Sequence, residues 1–257
     1  MGDGVRQNRG RANLSGRHLK IYGCITMLFY TVSLSIFQNA LLHVNSYESM
    51  TQLGDAMAGD PKQLLFAAGA IATQLIGALA IPIFAFLLVE GFVHTSDFRR
   101  YLLSVLLCGV VSELPYDFAV SGTWWTMSGQ NLMFTYVICL CMLYGLRLFV
   151  GKQGMVYRFM QIFVVAAALL WSIVLNTAFG TGSILLVAAY YLFYERKGLR
   201  VLVGCGVSLL YLSAPLSGYA IWNYSGRRGK IKHKYVFYAL YPLHLLLCGL
   251  AAHLLGA

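Results

Sequence analysis

The chain has 257 residues, of which 59% are apolar and only 11% are charged, with 19 basic against 9 acidic side chains. This composition excludes a water-soluble globular domain, whose surface needs many more charged side chains. The basic residues lie between apolar runs and are not interleaved with exposed aromatic residues, which argues against a nucleic-acid-binding surface and predicts contact with anionic membrane lipids.

Residues 1–19 are polar, rich in Gly and Arg and without an apolar period, so we predict a disordered basic tail there. Residues 20–257 are predicted to form one membrane-embedded domain. They contain about eight apolar runs, each long enough, or nearly so, to cross ~30 Å of hydrocarbon as a helix. The predicted fold class is therefore an all-α polytopic integral membrane bundle. The runs cover 20–44, 63–92, 100–118, 131–150, 156–177, 179–194, 199–222 and 235–255.

The distribution of Lys and Arg predicts the orientation of this bundle. Basic residues are concentrated in the tail and in the segments 93–100, 147–158 and 195–200, whereas the alternating loops carry only Lys62. Because cytoplasmic loops carry an excess of Lys and Arg, we predict a cytoplasmic amino terminus.

The run 199–222 conflicts with that orientation if it crosses the membrane. A crossing would place the most basic segment, 227–234, on the side opposite to the other basic loops. The run also contains Pro215 and Gly218, which interrupt a helix. We therefore predict a re-entrant hairpin that turns near Pro215 and is buried among the other helices, which returns 227–234 to the cytoplasmic side.

Acidic side chains inside apolar runs are candidates for chemistry. Glu90 ends the stretch PIFAFLLVEGFVHT, and Glu113 and Asp117 lie in SELPYDF. An ionisable group at membrane depth costs at least ~2.5 kcal/mol, so a compensating role is expected. A carboxylate in such a place can serve proton transfer. The structural alternative for each glutamate is a hydrogen bond between helices or the capping of a bend.

Two histidines are candidates for proton transfer. His244 follows Tyr241 and Pro242 within the last apolar run, and imidazole is well suited to relay protons near neutral pH. His94 lies at a predicted cytoplasmic helix end and is the weaker candidate. A packing role remains open for both. No metal-ligand spacing links the histidines, so no metal site is predicted.

The segment SGQNLMFT (128–135) brings amide and hydroxyl groups to the start of a predicted span. Gln130 and Asn131 can bind a ligand there, and Thr135 lies one turn deeper. Asn131 and Gln130 can instead cap the helix.

The segment YSGRRGKIKHK (224–234) mixes glycines with cations, which exposes backbone amides and positive charge suited to phosphate groups. We predict that Arg227, Arg228 and Lys230 bind the phosphates of an acyl-CoA. Contact with anionic lipid headgroups is the alternative.

The order of these segments resembles the TraX family, membrane proteins named after the conjugative-pilin acetylase of F-type plasmids. The resemblance covers most of the chain and rests on six ordered blocks. They are HLKIYGCITML (18–28), PIFAFLLVEGFVHT (82–95), SELPYD (112–117), QNLMFT (130–135), the glycine and basic loop at 226–230, and FYALYPLHLL (237–246).

The resemblance implies transfer of an acyl group, typically acetyl from cytoplasmic acetyl-CoA, to an acceptor at the bacterial inner membrane. The acceptor would be a peptide amine, a glycan or a small molecule. The residues expected to polarise or deprotonate it are Glu90, Glu113, Asp117 and His244. Those expected to bind substrate are Gln130, Asn131, Thr135, Tyr116, Tyr30 and His94.

Two departures from the family pattern favour other hypotheses. Family members usually carry Asp-His after the ML of the first span, where this chain has Tyr30 and Thr31, and an acidic residue where it has Ala178. A binding or assembly protein that has lost the chemistry is therefore one alternative. A small-solute transporter is another, because intramembrane carboxylates also mark ion-coupled pathways.

Overall fold

The computed structural model describes residues 13–126, 129–227, 229 and 236–256, and all regular secondary structure in these segments is helical. Short 3₁₀ turns cover Val44–Ser46, Leu209–Tyr211 and Ala214–Leu216. The helices are α1 (Gly16–Val32, continued as a π-helix over Ser33–Leu41), α2 (Met50–Gly59), α3 (Pro61–Ala78), α4 (Ala80–His94), α5 (Phe98–Ser121), α6 (Leu132–Arg147), α7 (Met155–Val174), α8 (Gly180–Leu192), α9 (Lys197–Ser208), α10 (Ser217–Trp222) and α11 (Val236–Leu255).

The predicted class of an all-α polytopic membrane bundle is confirmed. Among the described residues, five helical segments are long and apolar enough to cross a bilayer, and α6 and α8 are shorter apolar helices. With the α9–α10 hairpin described below, they account for the apolar runs of the sequence. The five long segments are Gly16–Leu41, Pro61–His94, Phe98–Ser121, Met155–Val174 and Val236–Leu255.

Two boundaries differ from the sequence prediction. Helix α1 begins at Gly16, inside the predicted tail, because the Ser15 N–H donates to Nδ1 of His18 (3.2 Å) and closes the first turn. Residues 50–59 of the predicted loop 45–62 form α2, whose first turn is capped by Ser49 accepting from the Gln52 N–H (3.3 Å).

Helix α1 lies antiparallel to α3 and α4. Gly23 faces Phe84, Tyr30 faces Gly77, and the Ser33 hydroxyl donates to the Ala70 carbonyl (2.8 Å). The contact at Gly77 is the closest, because a Cβ there would lie 2.6 Å from the Cα and N of Tyr30. A small residue is therefore required for the backbones to approach, as at many helix crossings in membranes.

Gly77→Ala is accordingly expected to destabilise the fold. The added methyl group would meet backbone atoms, which cannot rotate away, so we expect a loss of about 1–3 kcal/mol in the free energy of unfolding. Gly206→Ala in α9 is the matched control, because nothing lies within 4 Å of its Cβ position. Thermal unfolding in detergent measures both, and equal midpoints would contradict the expectation.

Helices α9 and α10 form the predicted hairpin. The turn includes Leu212, whose φ is +52°, and the 3₁₀ segment that holds Pro215. Beyond it, Gly218 packs against Cys205, and the Trp222 ring lies 5.3 Å from the Lys197 ammonium. The start of α9 and the end of α10 therefore lie at the same face of the bundle, as predicted. The predicted burial of the turn among other helices is wrong, because Leu212 and Leu216 are 76% and 73% exposed.

The face that carries the basic loops is called here the basic face. The Leu14 N–H donates to the Asn223 carbonyl (3.1 Å), and the Gly16 N–H donates to the Arg227 carbonyl (2.8 Å). These bonds place the chain after α10 beside the start of α1. Lys20 lies 5.4 Å from the Phe237 ring, so α11 also starts at the basic face.

At the opposite face, the ends of α5 and α11 meet. The rings of Phe118 and His253 lie 5.9 Å apart, whereas the Cys108 thiol in the middle of α5 donates to the Tyr238 carbonyl (3.5 Å) near the start of α11. The two helices are therefore parallel, and both run from the basic face to the opposite face.

Candidate functional site

A cavity of about 770 Å³ opens between α1, α4, α5 and α11 on the basic side of the bundle. Lys20, Arg100 and His94 line its outer part, together with Gly226 of the loop after α10. His244 lines its inner part, eight residues beyond the start of α11 and hence about 12 Å deeper along the helix axis. We call this space the large cavity.

Glu90 lies in the wall of the large cavity and has a buried cationic partner. The Arg200 guanidinium approaches its carboxylate to 3.7 Å, and the Tyr224 hydroxyl donates to it (3.2 Å). Arg200 is itself covered by the rings of Phe86 and Tyr194, at 5.0 and 5.2 Å. The Arg200 Nε is buried and has no hydrogen-bond acceptor among the described residues. The carboxylate thus joins α4 to the α9–α10 hairpin.

His94, the second predicted residue at this end, lies one turn after Glu90. Its Nδ1 is 2.9 Å from the Glu90 carbonyl and 3.7 Å from the Glu90 carboxylate. The sequence prediction did not include Arg200, because a count of loop charges assigned it to orientation along with Arg196 and Lys197.

The imidazole of His244 is held between two partners. Its Nδ1 lies 3.0 Å from the Leu240 carbonyl, and its Nε2 lies 3.1 Å from the Thr31 hydroxyl. A carbonyl can only accept, so Nδ1 carries the hydrogen. In the neutral ring Nε2 then presents a lone pair to the Thr31 hydroxyl. That hydroxyl also lies 3.2 Å from the Met27 carbonyl, so its one hydrogen can turn either to Met27 or to Nε2. Such a nitrogen is a suitable general base.

A second cavity of about 290 Å³ lies on the other side of this contact. Thr31 lines it, as do two predicted substrate-binding residues, Tyr30 and Tyr116. We call it the small cavity. The residues that line both cavities are Met27, Phe84 and Tyr241.

Glu113 lies near the opposite face and is bound to the start of α6. Both the N–H and the side-chain amide of Asn131 donate to one carboxylate oxygen, and the amide also donates to the Gly109 carbonyl (2.8 Å). The other oxygen, Oε1, is buried without a hydrogen-bond partner. Asn131 also caps α6 by accepting from the Met133 N–H (2.9 Å), as the capping alternative predicted.

Asp117 lies one turn after Glu113 and is similarly bound. Its Oδ2 accepts from the Thr126 N–H (2.9 Å), and its buried Oδ1 has no hydrogen-bond partner. Neither Glu113 nor Asp117 lines the large or the small cavity. The structure therefore brings Glu90 and His244 to one cavity, but places Glu113 and Asp117 outside it.

Gln130 and Thr135 hold the turn between α7 and α8. The Gln130 N–H donates to Asn176 O (3.0 Å), and its carbonyl accepts from the Ala178 N–H (2.9 Å). The Thr135 hydroxyl donates to the Ala178 carbonyl (2.7 Å). These contacts connect the polar segment 130–135 to the neighbouring turn.

Asn131→Ala is expected to destabilise the opposite face. The substitution removes a helix cap, which costs about 1 kcal/mol, and leaves the buried Glu113 carboxylate without its amide donor, which costs about 1–3 kcal/mol. Asn131→Asp keeps the cap but puts a second carboxylate beside Glu113. Glu113→Gln in the Asn131→Asp background should restore stability in thermal unfolding; failure of this rescue would show that the amide–carboxylate contact is not what stabilises the site.

The predicted phosphate-binding residues are only partly described. Arg227 is exposed and is held through its backbone carbonyl, while Arg228 and Lys230 lie outside the described residues. Among the described Lys and Arg residues, Lys20 and Arg100 line the large cavity. The sequence analysis did not predict a binding role for Lys20 or Arg100, because it assigned both charges to membrane orientation.

Comparison with known proteins relates the chain to one family and to one curated protein. A family model described as "TraX protein" matches residues 55–251. The chain is 25% identical, over 209 residues, to "Probable fimbrial assembly protein FimC, serogroup H1" of Dichelobacter nodosus, a match that covers 68% of this chain and 81% of that protein. No solved structure matches the chain.

Proposed function

Since the chain belongs to the TraX family of membrane proteins, we propose that it is an acyltransferase that moves an acetyl group from acetyl-CoA to an amine or hydroxyl acceptor. In this proposal the membrane is the bacterial inner membrane and the basic face is cytoplasmic, where acetyl-CoA is available and where Lys and Arg accumulate. The supporting observation is one cavity with cations in its outer part and a fixed imidazole in its inner part.

The cations at the outer part of the large cavity support acetyl-CoA as its ligand. Lys20 and Arg100 provide positive charge for the phosphates near the basic face. From there the cavity leads inward along α11 to His244, whose Nε2 can accept a proton from the attacking group. Charge in a dry site is stabilised more strongly by nearby dipoles than in water, which favours the developing oxyanion.

Lys20→Gln and Arg100→Gln are each expected to weaken acetyl-CoA binding by about 10- to 100-fold, the loss of one charge-assisted hydrogen bond. Lys152→Gln is the matched control, because Lys152 lies at the same face over Phe149 and Tyr157 and outside the cavity. Binding of radiolabelled acetyl-CoA to protein in nanodiscs measures the affinity. Equal affinities for all three variants would refute the proposed phosphate site.

The activity itself is tested by transfer of radiolabel. Purified protein reconstituted with bacterial membrane extract is incubated with acetyl-CoA labelled in the acetyl group, and labelled lipid, glycan and peptide fractions are separated. Label in one fraction that depends on the protein supports the proposal. Absence of both transfer and acetyl-CoA binding would contradict it.

A binding or assembly role without chemistry is the second candidate. It is favoured by the name of the similar fimbrial assembly protein and by Tyr30 and Thr31 at the place of the family's Asp-His pair. A stable complex with another membrane or envelope protein, isolated from cells, together with no acetyl-CoA turnover, would favour this candidate.

A further inference from the structure

Two hydrogen-bonded side chains, those of Thr31 and His244, lie between the two cavities. His244 lines the large cavity, Thr31 lines the small one, and 3.1 Å separates the imidazole Nε2 from the Thr31 hydroxyl. Met27, Phe84 and Tyr241 form the rest of the partition, because they line both spaces. The Thr31–His244 hydrogen bond therefore offers a path for a proton between a ligand in one cavity and a ligand in the other.

The small cavity occupies the half of the bundle away from the basic face. Its lining includes Val120 at the end of α5, Leu132 at the start of α6, and Ala178 and Phe179 in the turn before α8. Each of these positions lies at the opposite face. The large cavity, in contrast, receives Lys20 and Arg100 from the basic face.

The chemistry of the small cavity restricts its occupant. Its described lining contains Tyr30, Tyr116 and Tyr241 with Thr31, and no Asp, Glu, Lys, Arg or His. An ammonium or a carboxylate would find no opposite charge there, and at membrane depth an unpaired charge is costly. Aromatic rings and apolar side chains suit an uncharged apolar or aromatic group.

We propose that the small cavity binds the acyl acceptor, which enters from the face opposite to the basic loops and presents an uncharged hydroxyl or amine to Thr31. This inference rests on the proposed acyltransferase function. Acetyl-CoA and acceptor then approach from opposite faces and react across the Thr31–His244 contact.

The acceptor gives its proton to the Thr31 oxygen while the Thr31 hydroxyl proton passes to Nε2 of His244. The acceptor oxygen or nitrogen forms a bond to the acetyl carbonyl carbon, and the carbon–sulfur bond of acetyl-CoA breaks. The leaving sulfur takes the proton from His244, which gives free CoA and restores the neutral ring. Thr31 is a positioning residue that relays the proton.

Sided labelling tests the arrangement. Single cysteines are placed in a cysteine-free protein in inside-out and right-side-out vesicles, and a membrane-impermeant sulfonated maleimide is added. Glu48→Cys in the loop before α2 and Lys152→Cys in the loop after α6 mark the two faces. Thr31→Cys is expected to be labelled from the same face as Glu48→Cys. His244→Cys is expected to be labelled from the same face as Lys152→Cys.

A second pair of positions avoids the hydrogen bond itself. Val120→Cys lines the small cavity and Ser104→Cys lines the large cavity, so they should label from the same faces as Thr31→Cys and His244→Cys, respectively. The inference would be overturned if Val120→Cys and Ser104→Cys were both labelled from the same face, or if Val120→Cys were labelled from the basic face only.

Two further measurements separate this inference from the proposed function. Saturating acetyl-CoA should prevent labelling of His244→Cys and leave Thr31→Cys unaffected; no protection at either position, with the sided pattern intact, would defeat the proposed function alone. In the transfer assay, Thr31→Ser should keep activity, whereas Thr31→Val, which has the same shape without the hydroxyl, should lose it. Equal transfer by Thr31→Val would overturn the relay.

Discussion

His244→Gln is expected to lower the rate of acetyl transfer by about 10²- to 10⁴-fold, the usual contribution of a general base. A glutamine amide can still donate to the Leu240 carbonyl, which His244 Nδ1 contacts at 3.0 Å. It cannot accept a proton near neutral pH. The substitution therefore removes proton transfer while it keeps the hydrogen bond that orients the side chain. The measurement is transfer of label from acetyl-CoA under single-turnover conditions.

His253→Gln is the matched control for this prediction. His253 lies on the same helix, α11, but near the opposite face against Phe118 and outside both cavities. The His253→Gln variant should transfer acetyl groups at the wild-type rate. Acetyl-CoA binding and the thermal midpoint should also be unchanged in His244→Gln, since the loss concerns chemistry. An unchanged transfer rate in His244→Gln would remove this histidine from the mechanism.

The apolar runs and the hairpin could be predicted because each depends on a local property of the sequence. Hydropathy sets which segments leave water, and the charge of 227–234 predicts the face at which the hairpin ends. Pro215 and Gly218 supplied the break that a return requires. None of these inferences needs knowledge of which helix packs against which.

The functional contacts could not be predicted, because they depend on which helices pack against each other. Thr31 and His244 are 213 positions apart, and no periodicity in either helix shows that their polar side chains face each other. The same is true of Gly77 against Tyr30, where only the crossing of two helices creates the need for a small residue. Glu113 and His244 were assigned to one reaction because both are ionisable groups in apolar runs and lie in blocks that resemble the family. The packing of α5 against α6 directs Glu113 to Asn131 instead.

Arg200 illustrates how charge counting conceals a buried partner. Arg196, Lys197 and Arg200 form one basic segment, and all three fit the orientation rule equally well. Only the start of α9 turns Arg200 inward, where its side chain is 9% exposed and faces Glu90. The residue thus belongs to the core of the hairpin contact, although its neighbours in sequence belong to the surface.

Arg200→Met is therefore expected to destabilise the protein by about 3–5 kcal/mol, because it leaves the Glu90 carboxylate buried without its cation. The two side chains are 9% and 10% exposed, so water solvates the carboxylate poorly when the guanidinium is removed. The double variant Glu90→Gln and Arg200→Met should recover most of the loss, since it removes both charges and a glutamine can still accept from the Tyr224 hydroxyl. Thermal unfolding in detergent compares the wild type, Arg200→Met and the double variant.

Arg100→Met provides the comparison with an exposed pair. The Arg100 and Asp97 side chains also approach to 3.7 Å, but they are 74% and 52% exposed, so the change in stability should stay within about 1 kcal/mol. The difference between the two Arg→Met variants isolates burial, because the substitution and the distance between the charges are the same. If Arg200→Met were as stable as Arg100→Met, or if the double variant were less stable than Arg200→Met alone, Glu90 and Arg200 would not be the pair that anchors the hairpin to α4.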